Sequence, residues 1–189
     1  VQNSPARESY ITFDILGGDL TQSTGNARDL INSVLSSLNS IVANSWNGYY
    51  NALYQVNNVI SIVEDLPESD LRNLIIGEAH YFRAYIYHSL VTRWGGVPIQ
   101  RVNTMDKPFR DSEEAVWAFI EEELETALAF LGTSSSCYYV SRDAALALKA
   151  RVMLERGKKT EAAALAEGLI KDGKYKLDSF DKIFRGKTN

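Results

Sequence analysis

Gly77-Glu78-Ala79-His80-Tyr81-Phe82-Arg83-Ala84-Tyr85-Ile86-Tyr87-His88-Ser89-Leu90-Val91-Thr92-Arg93-Trp94-Gly95-Gly96-Val97-Pro98-Ile99 is the stretch whose reading decides the fold. It has the composition of a long helix with almost no polar side, stopped by two glycines and a proline. A helix that is apolar nearly all round needs neighbours on both flanks. That requirement points to stacked helical pairs, an architecture suited to binding rather than to bond-making chemistry.

Upstream, Trp46, Tyr49, Tyr50, Leu53, Val56, Ile60 and Val63 recur at steps of three and four, which lines one helical face. Leu66-Pro67-Glu68-Ser69 ends that helix and caps the next, which runs near 70 to 94 and spans about 37 Å. Downstream, Asp111-Ser112-Glu113-Glu114 reads as a capping box. Val116, Phe119, Ile120, Leu124, Ala127 and Leu128 then form a buried stripe. The acidic stretch Glu121 to Glu125 reads as a solvated face. Gly132 closes this helix, and Thr133 to Ser136 form a polar loop.

Ser141 caps a fourth helix carrying Ala145, Leu148, Val152 and Met153. Arg156-Gly157-Lys158-Lys159-Thr160 is short enough to force an antiparallel return. The fifth helix carries Ala162, Leu165, Ala166 and Leu169, and Gly173 ends it. Near the start, Ser4-Pro5 is a cap followed by proline at the first helical position. It opens a short helix ending before Gly17-Gly18. Residues 17 to 44 are rich in Ser, Asn, Thr and Gly and read mainly as loop, with a helical turn around Leu30 to Leu38. No strand of any length is evident, so the expected class is all-α.

Composition narrows the function. The 189 residues suffice for one domain with a sizeable core. A formal charge of −4, from well-mixed acids and bases, argues against a nucleic-acid partner. No apolar run reaches the length of a membrane span. Cys137 is the only cysteine, which excludes a disulfide framework; it reads as an idle thiol. His80 and His88 lie eight apart on one helix, whereas a zinc pair wants a spacing near four, so no metal is expected. No cofactor is called for, and no carboxylate pair stands out as catalytic. Gly95-Gly96-Val97-Pro98 follows a helix, so it is a stop signal rather than a phosphate loop. Glu78 and Arg83 are charges inside the most apolar helix and are expected to satisfy neighbouring polar groups. Tyr81, Phe82, Tyr85 and Tyr87 fall at helical spacing and are expected in the core, whereas Tyr138 and Tyr139 sit in a polar loop and are expected outside.

The 141–173 pair resembles a tetratricopeptide repeat. Ala150, Ala162 and Ala166 fall where that repeat needs small residues for close helix approach, although its usual large aromatics are missing. Such stacks bury a continuous core and leave curved surfaces for partners.

Five blocks in order carry a wider resemblance. They are Trp46-x2-Tyr49-x7-Asn57, Gly77-Glu78-Ala79-x3-Arg83-Ala84-Tyr85, Trp94-Gly95-Gly96-Val97-Pro98-Ile99, Ser141-Arg142-x-Ala144-Ala145-Leu146-x-Leu148-Lys149-Ala150-Arg151 and Leu177-x2-Phe180-x3-Phe184. Over roughly residues 10 to 189 the chain resembles the SusD/RagB family. The resemblance implies a non-catalytic outer-membrane lipoprotein of Bacteroidetes-type bacteria. Such a protein binds a glycan (peptides in some members) at the cell surface and caps a SusC-type TonB-dependent transporter. It implies a single SusD-like helical domain over 1–189, with a long loop at 17–44 and a first helix pair at 45–99. A third helix at 111–132 and a degenerate tetratricopeptide-like pair at 141–173 complete it.

Family members are usually much longer, so this chain is expected to be their N-terminal, repeat-bearing portion. Cys137 lies too deep to be the lipid-bearing cysteine, and any lipid anchor is expected outside the chain. The loop ahead of Trp46 contributes to the ligand groove in relatives. Here it has no aromatic residue between Asp14 and Trp46, which leaves Asp19, Asn26 and Arg28 as candidate ligand contacts. The alternative is a tetratricopeptide-like protein- or peptide-interaction scaffold with no sugar site in this segment.

Overall fold

The computed structural model describes residues 15–18, 27–32, 34, 36, 39–133 and 138–185. Among these no strand is found; residues 15–17 are helical, and seven further helices follow. They are α1 (Ala27–Ile31), α2 (Ser40–Glu64), α3 (Asp70–Trp94), α4 (Glu113–Phe130), α5 (Arg142–Glu155), α6 (Lys159–Lys171) and α7 (Phe180–Arg185). Successive helices from α2 to α6 pack on one another, and α3 also touches α5. The architecture is all-α, built of stacked antiparallel pairs in the tetratricopeptide-like manner. The Ser4-Pro5 helix start, Asp19, Asn26 and Cys137 lie outside the described residues.

Local chemistry sets the boundaries. α2 starts at Ser40, six residues before Trp46, because the Asn39 side chain accepts from the Ile41 amide at 3.0 Å. Ser69 and Ser141 cap α3 and α5 through their hydroxyls, as expected from their positions. The capping box is displaced by one residue. Ser112 caps α4 by accepting from the Ala115 amide, while Asp111 accepts instead from the Ile99 amide at 2.8 Å. At the α5–α6 turn, Gly157 takes φ 75°, and the Lys158 amide donates to the Met153 carbonyl at 2.8 Å. These are the marks of a Schellman ending.

The core forms where α2, α3, α4 and α5 meet. Leu53, Ile86, Tyr87, Leu90, Phe119, Ile120, Leu124 and Val152 are buried there, with Ala162 of α6 admitted beside them. Tyr87 meets Phe119 edge-on at 5.0 Å. A smaller cluster of Ala127, Leu128, Leu131 and Ala145 receives Leu74, Tyr81 and Val140. Gly77 is required beside it: a Cβ there would lie 2.8 Å from Leu131 Cγ. The glycine lets α3 approach the end of α4 closely.

Two expectations need correction. Phe82 and Tyr85 are not core; they are 37% and 39% exposed. With Leu71 and Thr92 they make an outward stripe at helical steps of 11, 3 and 7. That face carries two aromatic rings yet is uncovered by any described helix. The acidic stretch of α4 is not uniformly solvated either. Glu123 is only 2% exposed.

Candidate functional site

Glu123 is buried because α3 supplies its partners. Arg83 Nε donates to Glu123 Oε2 at 2.7 Å and Arg83 Nη2 donates to Oε1 at 2.8 Å. His80 Nδ1 stands 2.8 Å from Oε2, and with a carboxylate opposite, Nδ1 carries the hydrogen. Burial pushes the Glu123 carboxyl up, but the hydrogen bonds from His80 and Arg83 more than offset it and hold it below the usual range. Arg83 Nη1 also donates to Asn57 Oδ1 at 3.1 Å and to the Arg101 carbonyl at 3.0 Å. The charged residues of the apolar helix thus serve the scaffold, and Glu78 does likewise by accepting from the Val140 amide at 2.6 Å.

This network pins the segment that follows α3. Asn57 Nδ2 donates to the Gln100 carbonyl at 3.0 Å, and Tyr50 Oη donates to the Pro98 carbonyl at 2.9 Å. Tyr87 Oη donates weakly to the same carbonyl and accepts from the Gln100 amide at 2.6 Å. Burial pushes both phenols far up, so they stay neutral donors. The run from Val97 to Arg101 is therefore fixed across α2 and α3, passing from buried Val97 to exposed Arg101.

At the end where α2 begins and α3 stops, this run frames a recess. Trp46 and Trp94 meet edge-on at 5.3 Å with their planes 83° apart, and Tyr50 lies against Trp46 at 4.8 Å. A groove of about 440 Å3 is lined by Trp46, Trp94, Gly96, Pro98, Pro108 and Arg110. It adjoins a second recess of about 660 Å3 that adds Asp111, Ser112 and Glu113. These volumes fall in the range of small-ligand clefts. Arg110 is held in place, its Nε donating to the Gly96 carbonyl at 2.7 Å and its Nη2 to the Trp94 carbonyl at 3.0 Å. Glu113 Oε1 accepts from Trp117 Nε1 at 3.2 Å. Gly96 allows the wall to close, since a Cβ there would stand 2.2 Å from the Asp111 carbonyl oxygen. The recess therefore offers ring surface, one guanidinium and two carboxylates on a rigid frame, which suits holding a small polar ligand.

Arg28, the described member of the expected ligand set, is an exposed residue of α1 and does not line this groove. Its helix is nonetheless close in the chain's path. Ala27 and Leu30 pack with Ile15 and Ile41, and Asn39 reaches Asp29 at 3.5 Å. Ile41 precedes Trp46 by five residues, about 7.5 Å along α2. Tyr138 and Tyr139 are outside as expected, at 88% and 53% exposure. The histidines part company: His80 joins Glu123, while His88 Nε2 stands 2.6 Å from Glu155 Oε2. Burial holds the His88 imidazole below its usual range despite Glu155. No group of three or more metal-ligating side chains comes together among the described residues. Nor is any described helix long and apolar enough to cross a membrane. The groove is not legible in the sequence because its tryptophans fall where core residues would and Arg110 and Glu113 lie sixteen or more residues beyond Trp94 in the chain.

Stacked helix pairs around a pinned, aromatic-rimmed recess define a helical-repeat scaffold. Residues 1–154 match the SusD-like family described as "Starch-binding associating with outer membrane". The chain belongs to that family. It is 29% identical over 166 residues to the SusD-like protein P38 of Formosa agariphila, covering 85% of this chain and 32% of that protein. Among solved structures, one determined with a xylogluco-oligosaccharide superposes with a TM-score of 0.80 at 24% identity, covering 90% of this chain and 38% of that one. A laminarin-binding SusD-like protein also gives 0.80, at 19% identity, covering 95% and 46%. The chain thus spans about a third of the curated relative and less than half of each of these structures.

Proposed function

We propose that this chain is the helical scaffold portion of a non-catalytic, cell-surface glycan-binding protein that works with a SusC-type TonB-dependent outer-membrane transporter. The observation that carries the reading is the family match over residues 1–154, whose description joins starch binding to the outer membrane. The xylogluco-oligosaccharide and laminarin named for two proteins of the same fold support a saccharide ligand. The protein recognises its glycan by hydrogen bonds and ring stacking and breaks no bond. A lipid anchor outside these residues holds it at the external face of the membrane. Asp19, Asn26 and Arg28 contribute ligand contacts from the segment ahead of α2.

Affinity electrophoresis of this chain beside its longer parent, against plant, host and microbial polysaccharides, tests the proposal. Retardation of the parent with the polysaccharide left intact is the expected result. Release of reducing ends would overturn it. Co-purification of a transporter from membranes without retention by any sugar would favour the peptide-scaffold alternative.

A further inference from the structure

We propose that the two adjoining recesses, which share Trp94, Gly96 and Arg110, together form a subsite for a neutral sugar unit. The inference rests on the glycan-binding reading and adds where a sugar sits and which class it belongs to.

The polar groups are fixed before any ligand arrives. Arg110 spends Nε and Nη2 on the carbonyls of Gly96 and Trp94, which orients its planar fork along the wall. Glu113 is anchored through Oε1 by Trp117 Nε1, and Asp111 through Oδ2 by the Ile99 amide. A Cβ placed on Gly95 would stand 3.4 Å from Glu113 Oε2 and 3.8 Å from Arg110 Nη2. Gly95 takes φ 67°, a backbone conformation that favours glycine, and without a side chain it leaves the gap between that acceptor and that donor unfilled. A pair of adjacent sugar hydroxyls matches it, one donating to the carboxylate and the other accepting from the guanidinium. The apolar C–H face of the ring then lies against indole and proline surface from Trp46, Trp94, Pro98 and Pro108.

Charge selects the class. The recess holds one fixed cation, Arg110, against two carboxylates, Asp111 and Glu113, a balance of one negative charge. A uronate or sulfate meets that negative balance and a guanidinium already committed to two carbonyls. A lysine-bearing peptide gains from the two carboxylates but must seat its ammonium beside Arg110, which offsets that gain. A neutral sugar suffers neither penalty, and pre-ordered donors and acceptors lower the entropy lost on binding.

The three indole N–H resonances of the intact chain give the readout, because Trp117 reports on Glu113 through their hydrogen bond. Xylogluco- and laminari-oligosaccharides are titrated first, then oligogalacturonate, a sulfated oligosaccharide and a lysine-rich peptide. The expected result is movement of all three signals with a neutral sugar alone. Glu113→Gln should weaken that sugar about tenfold, and Arg110→Lys should weaken it further, with thermal midpoints near wild type. Should Arg110→Lys fail to fold, Glu113→Gln with the indole shifts decides the matter. Preference for the anionic sugars or the peptide overturns the proposal. If the parent protein is retained by a neutral polysaccharide but both variants introduced into it bind unchanged, the groove assignment falls while the glycan-binding reading stands. If no glycan retains the parent, both fall together.

Discussion

Arg83 and Glu123 are opposite charges taken almost wholly out of water, and such a pair is sustained only by further hydrogen bonds. The molecule provides them: His80 serves the carboxylate, and Asn57 and the Arg101 carbonyl serve the guanidinium. No buried side-chain nitrogen or oxygen among the described residues is left without a partner. Glu123→Gln strips the charge yet keeps the shape, so Arg83 stays buried with neutral partners only. A loss of about 3 kcal/mol is expected in urea unfolding. The sign of the pH dependence follows from the depressed carboxyl. A folded-state pKa below the unfolded value contributes stability above the unfolded pKa, and that stability is lost as pH falls through the folded one. The wild type should therefore weaken on acidification below about pH 4.5, the ordinary carboxyl value, while Glu123→Gln shows a flatter acid limb. Equal acid limbs would mean that Glu123 is not the group responsible.

At the scale of the helix, hydrophobic spacing reports which face is buried only when the opposite face is polar. The reading of α4 as a stripe of Val116, Phe119, Ile120, Leu124, Ala127 and Leu128 holds in full, since all six are buried. For α3 the reading gives the extent and the need for flanking partners but not the outward side, because Phe82 and Tyr85 sit where a polar residue would have marked it. Glu123 shows the converse. One Glu in a run of three is indistinguishable from its neighbours by composition, and its burial depends on where Arg83 reaches from another helix. The groove was hidden for the same reason. Trp46 is legible as the head of a helical stripe and Trp94 as part of a helix-ending motif, but Arg110 and Glu113 join them only through the return of the chain after α3, which local patterns do not encode. Substitution separates the two kinds of aromatic on one helix. Tyr87→Ala, at the centre of the core, should cost about 3–5 kcal/mol. Phe82→Ser should stay within about 1 kcal/mol of wild type. Comparable urea midpoints for the two variants would place Phe82 under a covering partner.

Across the whole molecule, stability is unevenly spread. From α2 to α6 each helix is sandwiched or paired, whereas α7 has no buried residue. Phe180, Ile183 and Phe184 share one side of α7, the rings of Phe180 and Phe184 lie 4.7 Å apart, and Leu177 is fully exposed just before them. A six-residue helix resting on its own i, i+4 contacts is too short to persist in water by itself. The ties holding this region are polar and peripheral: Lys174 Nζ and Tyr175 Oη both reach Asp143 Oδ2, at 2.6 and 2.9 Å. Ending the chain after Lys176 keeps those ties and removes α7. The shortened protein should unfold within about 0.5 kcal/mol of the starting chain, since no buried contact is lost. It should also bind less of a hydrophobic dye, because four large apolar side chains have gone. In the intact chain, hydrogen exchange should reach completion at residues 180–185 long before it is measurable at 83–91, where α3 is enclosed. A shortened chain that unfolds at markedly lower urea would show that α7 is integral to the stack, and slow exchange in α7 would show that a second surface already covers its apolar side.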